Sequence, residues 1–241
     1  LSGATIDAST FGQVMLAAAL VIVGMGAASF AVAKVLRRDW RVLIAPMMYP
    51  NTGNMGLPVV LYAFGSAGFA YGITVMVTVS LFQFTLGAVL SSQGNPVKTL
   101  LKTPTVYAIV ISMALLLTET PLPLWMANTV DLMSGFTVPL MLITLGVSLA
   151  SIQVKSLRSG VGFSLIRIPL AAAAAWFIAG WLGLPPLAQN ILVVQMCMPV
   201  AVFNYLFAQR AQREPAYVAS LVFCSTLMAL FYLPALLALL M

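Results

Sequence analysis

Residues Tyr49 to Pro58 read Tyr-Pro-Asn-Thr-Gly-Asn-Met-Gly-Leu-Pro, and they interrupt an apolar run long enough to cross a bilayer. Proline removes a backbone donor, and its ring clashes with the carbonyl four residues earlier. At membrane depth such a break is tolerated only where protein or water satisfies the freed groups. The stretch therefore demands a partner elsewhere in the chain.

The surroundings justify reading it at membrane depth. Of 241 residues, 62% are hydrophobic and only 7% are charged, and the mean hydropathy is +1.06. That is more apolar surface than a soluble domain of this size hides, so the expected class is an all-α polytopic membrane protein. A bilayer core needs roughly 20 apolar residues per helix, which marks eight spans. They are A (11–36), B (42–64), C (67–90), D (104–118), E (124–150), F (161–182), G (187–208) and H (216–240).

The net charge of +6 does not point to nucleic acid, because the basic residues lie in small groups between spans. Lys34, Arg37, Arg38 and Arg41 lie between A and B, Lys98 and Lys102 between C and D, Lys155 and Arg158 between E and F, and Arg210 and Arg213 between G and H. The alternate segments hold no Lys or Arg. By the positive-inside rule, the basic loops face the cytoplasm and both ends of the chain face outward. The expected location is a bacterial inner membrane, with lipid as the surroundings.

A second span is broken near its middle, G at Pro199 in Met198-Pro-Val-Ala-Val-Phe-Asn204. B and G lie five spans apart, an odd number, so they cross in opposite directions. Paired broken helices of opposite orientation point to a secondary transporter with its site near the midplane. The expected organisation puts the last three helices of a first repeat in 1–92, with the broken helix at 42–64. A cytoplasmic loop occupies 93–103. A five-helix second repeat fills 104–241, with scaffold helices in 104–150, transport-domain helices in 161–241 and the second broken helix at 187–208. A–B–C then corresponds to F–G–H, and two helices are expected ahead of A. The chain begins at Leu1 and reads as a piece of a longer protein.

Asn51-Thr-Gly-Asn-Met-Gly-Leu-Pro58, then Pro139-Leu-Met-Leu-Ile-Thr-Leu-Gly-Val-Ser148, then Met198-Pro-Val-Ala-Val-Phe-Asn204 before a basic loop and a last helix, together resemble the auxin efflux carrier family. The resemblance implies a fold like that of the bile acid sodium symporters, with two inverted five-helix repeats and a crossover where the broken helices meet. It also implies small organic acids as substrates, malonate and malate among them, and a homodimer contact through the scaffold helices.

Where a helix breaks, its second half presents free N–H groups and its first half free carbonyls. Pro50 and Pro58 make the break in B. Gly53 and Gly56 allow close backbone approach, and Asn51 and Asn54 add uncharged donors and acceptors. Gln195 and Asn204 flank Pro199 and are placed to complete the site. The plainer reading is that these amides only satisfy the freed backbone. Arg167 is the one basic residue inside a span; either it draws in an organic anion or its stem carries the charge to the inner headgroups. Thr144 and Ser148 either face the substrate path or bond back to their own helix.

The chain has no His, and Cys197 and Cys224 both lie in apolar segments, so neither a metal site nor an activated nucleophile is expected. No cofactor is expected either. No span holds a deeply placed carboxylate, so a coupling ion, sodium or proton, would rely on crossover carbonyls and amides or on residues outside this chain. The expected function is a secondary transporter or facilitator of small organic anions working by alternating access. The alternative is a non-transporting sensor or assembly module built on the same fold.

Overall fold

The computed structural model describes residues 8–87, 122–151 and 156–241, together with residues 107, 111, 115 and 118. Span D, the 93–103 loop, Lys98, Lys102 and Lys155 lie outside the described residues, apart from those four isolated positions of span D. The described chain is helical throughout. Its helices are α1 (Ala8–Leu36), α2 (Trp40–Met48), α3 (Leu57–Phe82), α4 (Leu124–Ser151), α5 (Leu157–Trp181), α6 (Pro186–Cys197), α7 (Phe203–Arg210) and α8 (Pro215–Leu240). Single π-helical turns at Thr52–Gly56 and Gln83–Gly87 flank α3.

Local chemistry sets the helix ends. Asp39 caps α2 by accepting from the Arg41 N–H at 3.0 Å, and Ser156 caps α5 by accepting from the Ser159 N–H. Gly183 ends α5 at φ +64, with its own N–H bonded to the Gly180 carbonyl and that of Leu184 to Ala179. That pair of bonds forms a Schellman motif, and Pro185 and Pro186 then prevent the helix from resuming. Helix α1 ends in the same pattern, with Arg37 at φ +52 and the Arg38 N–H on the Ala33 carbonyl.

Five helical runs are long and apolar enough to cross a membrane, and one of them is not a single span. Residues 52–87 reverse at Gly65, whose φ of +66 and ψ of −162 are open to glycine and foreign to a helix. Beyond the bend the chain returns along itself. Gly72 packs on the side chains of Val60 and Leu57, and Gly53 on that of Met76. This hairpin separates spans B and C where the sequence places the short Gly65-Ser66 loop. Helices α2 and α3 therefore divide span B between them, as α6 and α7 divide span G.

The core forms where α1 packs on α2, α3 and α5, while α5 also packs on α6 and α8. Val14, Ala17, Ala18, Val21 and Ile22 of α1 are fully buried in it, as are Phe163 and Ala175 of α5. Cys197 and Cys224 are free and buried, acting as small packing residues. Helix α4 stands apart: Trp125, Phe136, Ile143 and Val147 are exposed along it, and its main contact among the described residues is with the first π-helical turn.

Three of the basic loops meet at one end of the bundle. Arg38 pairs with Glu214 at 2.9 Å and lies over the Tyr217 ring, and the Ser156 N–H bonds to Ser220 Oγ. Both side chains of the ion pair are about two-fifths exposed. Arg38→Ala should therefore lower stability by no more than about 1 kcal/mol, read as a small melting shift that shrinks further in high salt.

Candidate functional site

The two breaks answer each other. Helix α2 stops at Met48 and α6 at Cys197, and the extended residues that follow lie antiparallel, with Pro50 bridged to Val200. The Asn51 N–H donates to the Pro199 carbonyl at 2.7 Å, and the Ala201 N–H to the Tyr49 carbonyl at 3.1 Å. Two segments about 150 residues apart in sequence thus satisfy in each other backbone groups that the breaks leave without a helical partner.

Side chains complete the satisfaction. The Asn204 amide donates to the Tyr49 carbonyl at 2.9 Å, Ser225 Oγ accepts from the Val200 N–H at 3.0 Å, and the Tyr232 hydroxyl donates to the Cys197 carbonyl at 2.7 Å. Past Asn51 the chain resumes through the π-helical turn. There the Gly56 N–H reaches back five residues to the Asn51 carbonyl and the Leu57 N–H to that of Thr52. Pro58 has no N–H for the Asn54 carbonyl, and the wider i to i+5 register suits that vacancy.

The expected site residues divide into three groups. Pro50, Asn51, Pro199, Asn204, Gln195 and Arg167 converge on the crossing, and all six are buried. Gly53, Asn54, Gly56 and Pro58 form the adjoining turn and the start of α3. Gly53 and Asn54 are half-buried, Gly56 and Pro58 buried. Thr144 is not brought in: it is exposed and donates to the Leu140 carbonyl of its own helix at 2.8 Å. The side chain of Ser148 lies outside the described residues.

Arg167 corrects one expectation. Its head does not reach the headgroups; the residue is 1% exposed. Nε donates to the Pro46 carbonyl and Nη1 to the Met198 carbonyl, both at 2.9 Å. A continuous helix would satisfy the Pro46 carbonyl from the N–H of residue 50, and residue 50 is proline. The guanidinium supplies the donor that Pro50 lacks.

Four buried side-chain atoms around this region have no hydrogen-bond partner among the described residues: Asn51 Nδ2, Gln195 Oε1, Asn204 Oδ1 and Gln83 Nε2. Among the described residues the Gln195 side chain makes a long bond to the Gly72 carbonyl, at 3.4 Å. A cavity of about 30 Å³, lined by Arg41, Pro46, Asn204, Phe207 and Arg213 among others, approaches the crossing from the basic end. That volume holds roughly two waters. Sequence reasoning missed Ser225 and Tyr232, and their only signal is a pair of hydroxyls two turns apart in the apolar α8. It also missed Tyr49, which lies inside the opening stretch and is fully buried.

Long apolar helices around a mutually satisfied pair of helix breaks define the class as a polytopic membrane protein. The chain belongs to the auxin efflux carrier family: residues 89–237, more than half of it, match the family described as membrane transport protein. It is 27% identical over 201 residues to an uncharacterized transporter of Methanocaldococcus jannaschii, covering 78% of this chain and 64% of that one. To an uncharacterized transporter of Methanothermobacter thermautotrophicus it is 29% identical over 210 residues, 82% of this chain and 67% of that one. The match thus spans about two thirds of the length of these relatives. Membership points to a transporter rather than an enzyme.

Proposed function

We propose that this chain carries the solute site of a secondary transporter or facilitator for small organic anions, carboxylates of the malonate, malate or auxin-like kind. It works in a cytoplasmic membrane by alternating access. The helices carrying the two breaks move as a unit against a scaffold that includes α4, whose exposed apolar face is suited to lipid or to a second copy of the chain. One observation carries this reading: Asn51 Nδ2 is buried at the crossing without an acceptor among the described residues. An unmet buried donor costs about 1–3 kcal/mol, and a carboxylate oxygen would relieve it.

The start of α3, with its turn, and the start of α7 both open from the crossing, so their N–H ends favour a negative group there. The unpartnered oxygens of Gln195 and Asn204 ask for donors instead, so an acid bearing a hydroxyl or a retained proton satisfies more of the site than a bare carboxylate.

The test is flux of radiolabelled organic acids in proteoliposomes. Asn51→Ala with Asn54→Ala should lower it at least tenfold while the protein stays monodisperse. Equal flux in the double variant and the wild type would remove these residues from the site, and no flux of any acid by the wild type would favour the non-transporting module.

A further inference from the structure

Arg167 is a buried charge that no carboxylate balances among the described residues. Among the described acidic residues, Asp39 caps α2, Glu214 pairs with Arg38, and Asp131 is exposed on α4. A lone ion inside a bundle is costly, so something else must compensate. The compensation comes from the two helix ends on which its donors are spent. Pro46 lies in the last turn of α2, and Met198 caps the end of α6. A helix C-terminus carries roughly half a negative charge, so two converging ends present about one, matching a single guanidinium.

We propose that Arg167 is the resident cation of the crossing. It holds the position between the two carbonyl ends that would otherwise attract an exchangeable monovalent cation, and it ties α2, α5 and α6 together permanently. Any cation coupling in this carrier is then placed elsewhere than at these carbonyls. A residue reading the solute would keep its donors for it, whereas Nε and one Nη1 proton of Arg167 are committed to backbone. This role stands whichever solute is carried, so it survives or fails independently of the proposed transport.

Thermal melts of the purified full-length protein in lipid nanodiscs test it, with choline, sodium, potassium or guanidinium chloride at constant ionic strength. The Arg167→Met variant, long but uncharged, should melt roughly 5–10 °C below wild type, and Arg167→Lys should recover part of that loss. Guanidinium at low concentration should raise the melting temperature of Arg167→Ala but not that of wild type. A Met variant as stable as the Lys variant would overturn the proposal, as would an Ala variant indifferent to guanidinium. If the single variants do not fold in plain buffer, the yield of folded Arg167→Ala purified with guanidinium chloride, against sodium or choline chloride, replaces the melt, and equal yields in all three salts count against the resident cation.

Discussion

Gly160→Val is expected to eliminate most of the folded protein, with Gly160→Ala losing about 1–3 kcal/mol. Gly160 is where the first turn of α5 meets α8. A Cβ built there would lie 2.5 Å from the backbone carbonyl oxygen of Ser220, and Cys224 crowds the same spot. Side chains can rotate away from an intruding methyl, but a carbonyl in the middle of a helix moves only if the helix does. Helix α8 is held in place here by the Ser156 to Ser220 bond and by Cys224 against the Leu157 carbonyl. Two residues further on, a Cβ at Gly162 would meet nothing within 4 Å. Gly162→Ala should therefore be neutral, or gain up to about 1 kcal/mol from helix propensity. Melting curves and size-exclusion profiles of the three variants decide the matter. A Gly160→Ala protein as stable as Gly162→Ala would show that the α5 and α8 contact is looser than the geometry indicates.

Gly56→Val should act on transport rather than on folding. A Cβ at Gly56 would overlap Gln195 Oε1, and Gly72 closes on the other side of the same amide, with its own built Cβ 3.1 Å from Gln195 Nε2. The obstacle here is the tip of a flexible side chain, so the fold can absorb a small intrusion by displacing it. That displacement removes one of the unpartnered oxygens from the crossing. Organic-acid flux in proteoliposomes is expected to become undetectable for Gly56→Val and to fall about tenfold for Gly56→Ala, with a smaller melting loss for Gly56→Ala than for Gly160→Ala. Wild-type flux in Gly56→Val would separate the Gln195 amide from the solute path.

The opening stretch made much of this legible. Pro50 and Pro199 announce breaks wherever they stand in a helix, because a missing N–H is a property of the residue and not of its neighbours. Apolar runs and the spacing of basic groups marked the ends of α1, α5 and α8 to within a few residues for a similarly local reason. The reversal at Gly65 was equally visible, since a Gly-Ser pair between two apolar runs leaves little else for the chain to do. Arg167 was visible as an anomaly but not as an answer. Periodicity reports which span holds a charge, and it does not report which carbonyls lie 121 and 31 residues away in sequence but 2.9 Å away in space. Ser225 and Tyr232 were illegible because hydroxyls in an apolar helix usually bond back to their own turn, as Thr226 does.

The amino-acid sequence alone determined that this protein is helical, that it lives in a membrane, and that two of its helices cannot be continuous. Those outcomes depend on composition and on the covalent chemistry of proline. Only the tertiary structure decided how the damage is repaired: Asn51 with Pro199, Tyr49 with Ala201 and Asn204, and Arg167 with both broken ends. Each of those pairings is a hydrogen bond across a long sequence separation. A hydrogen bond depends on distances of a few tenths of an ångström, which packing sets and residue order does not.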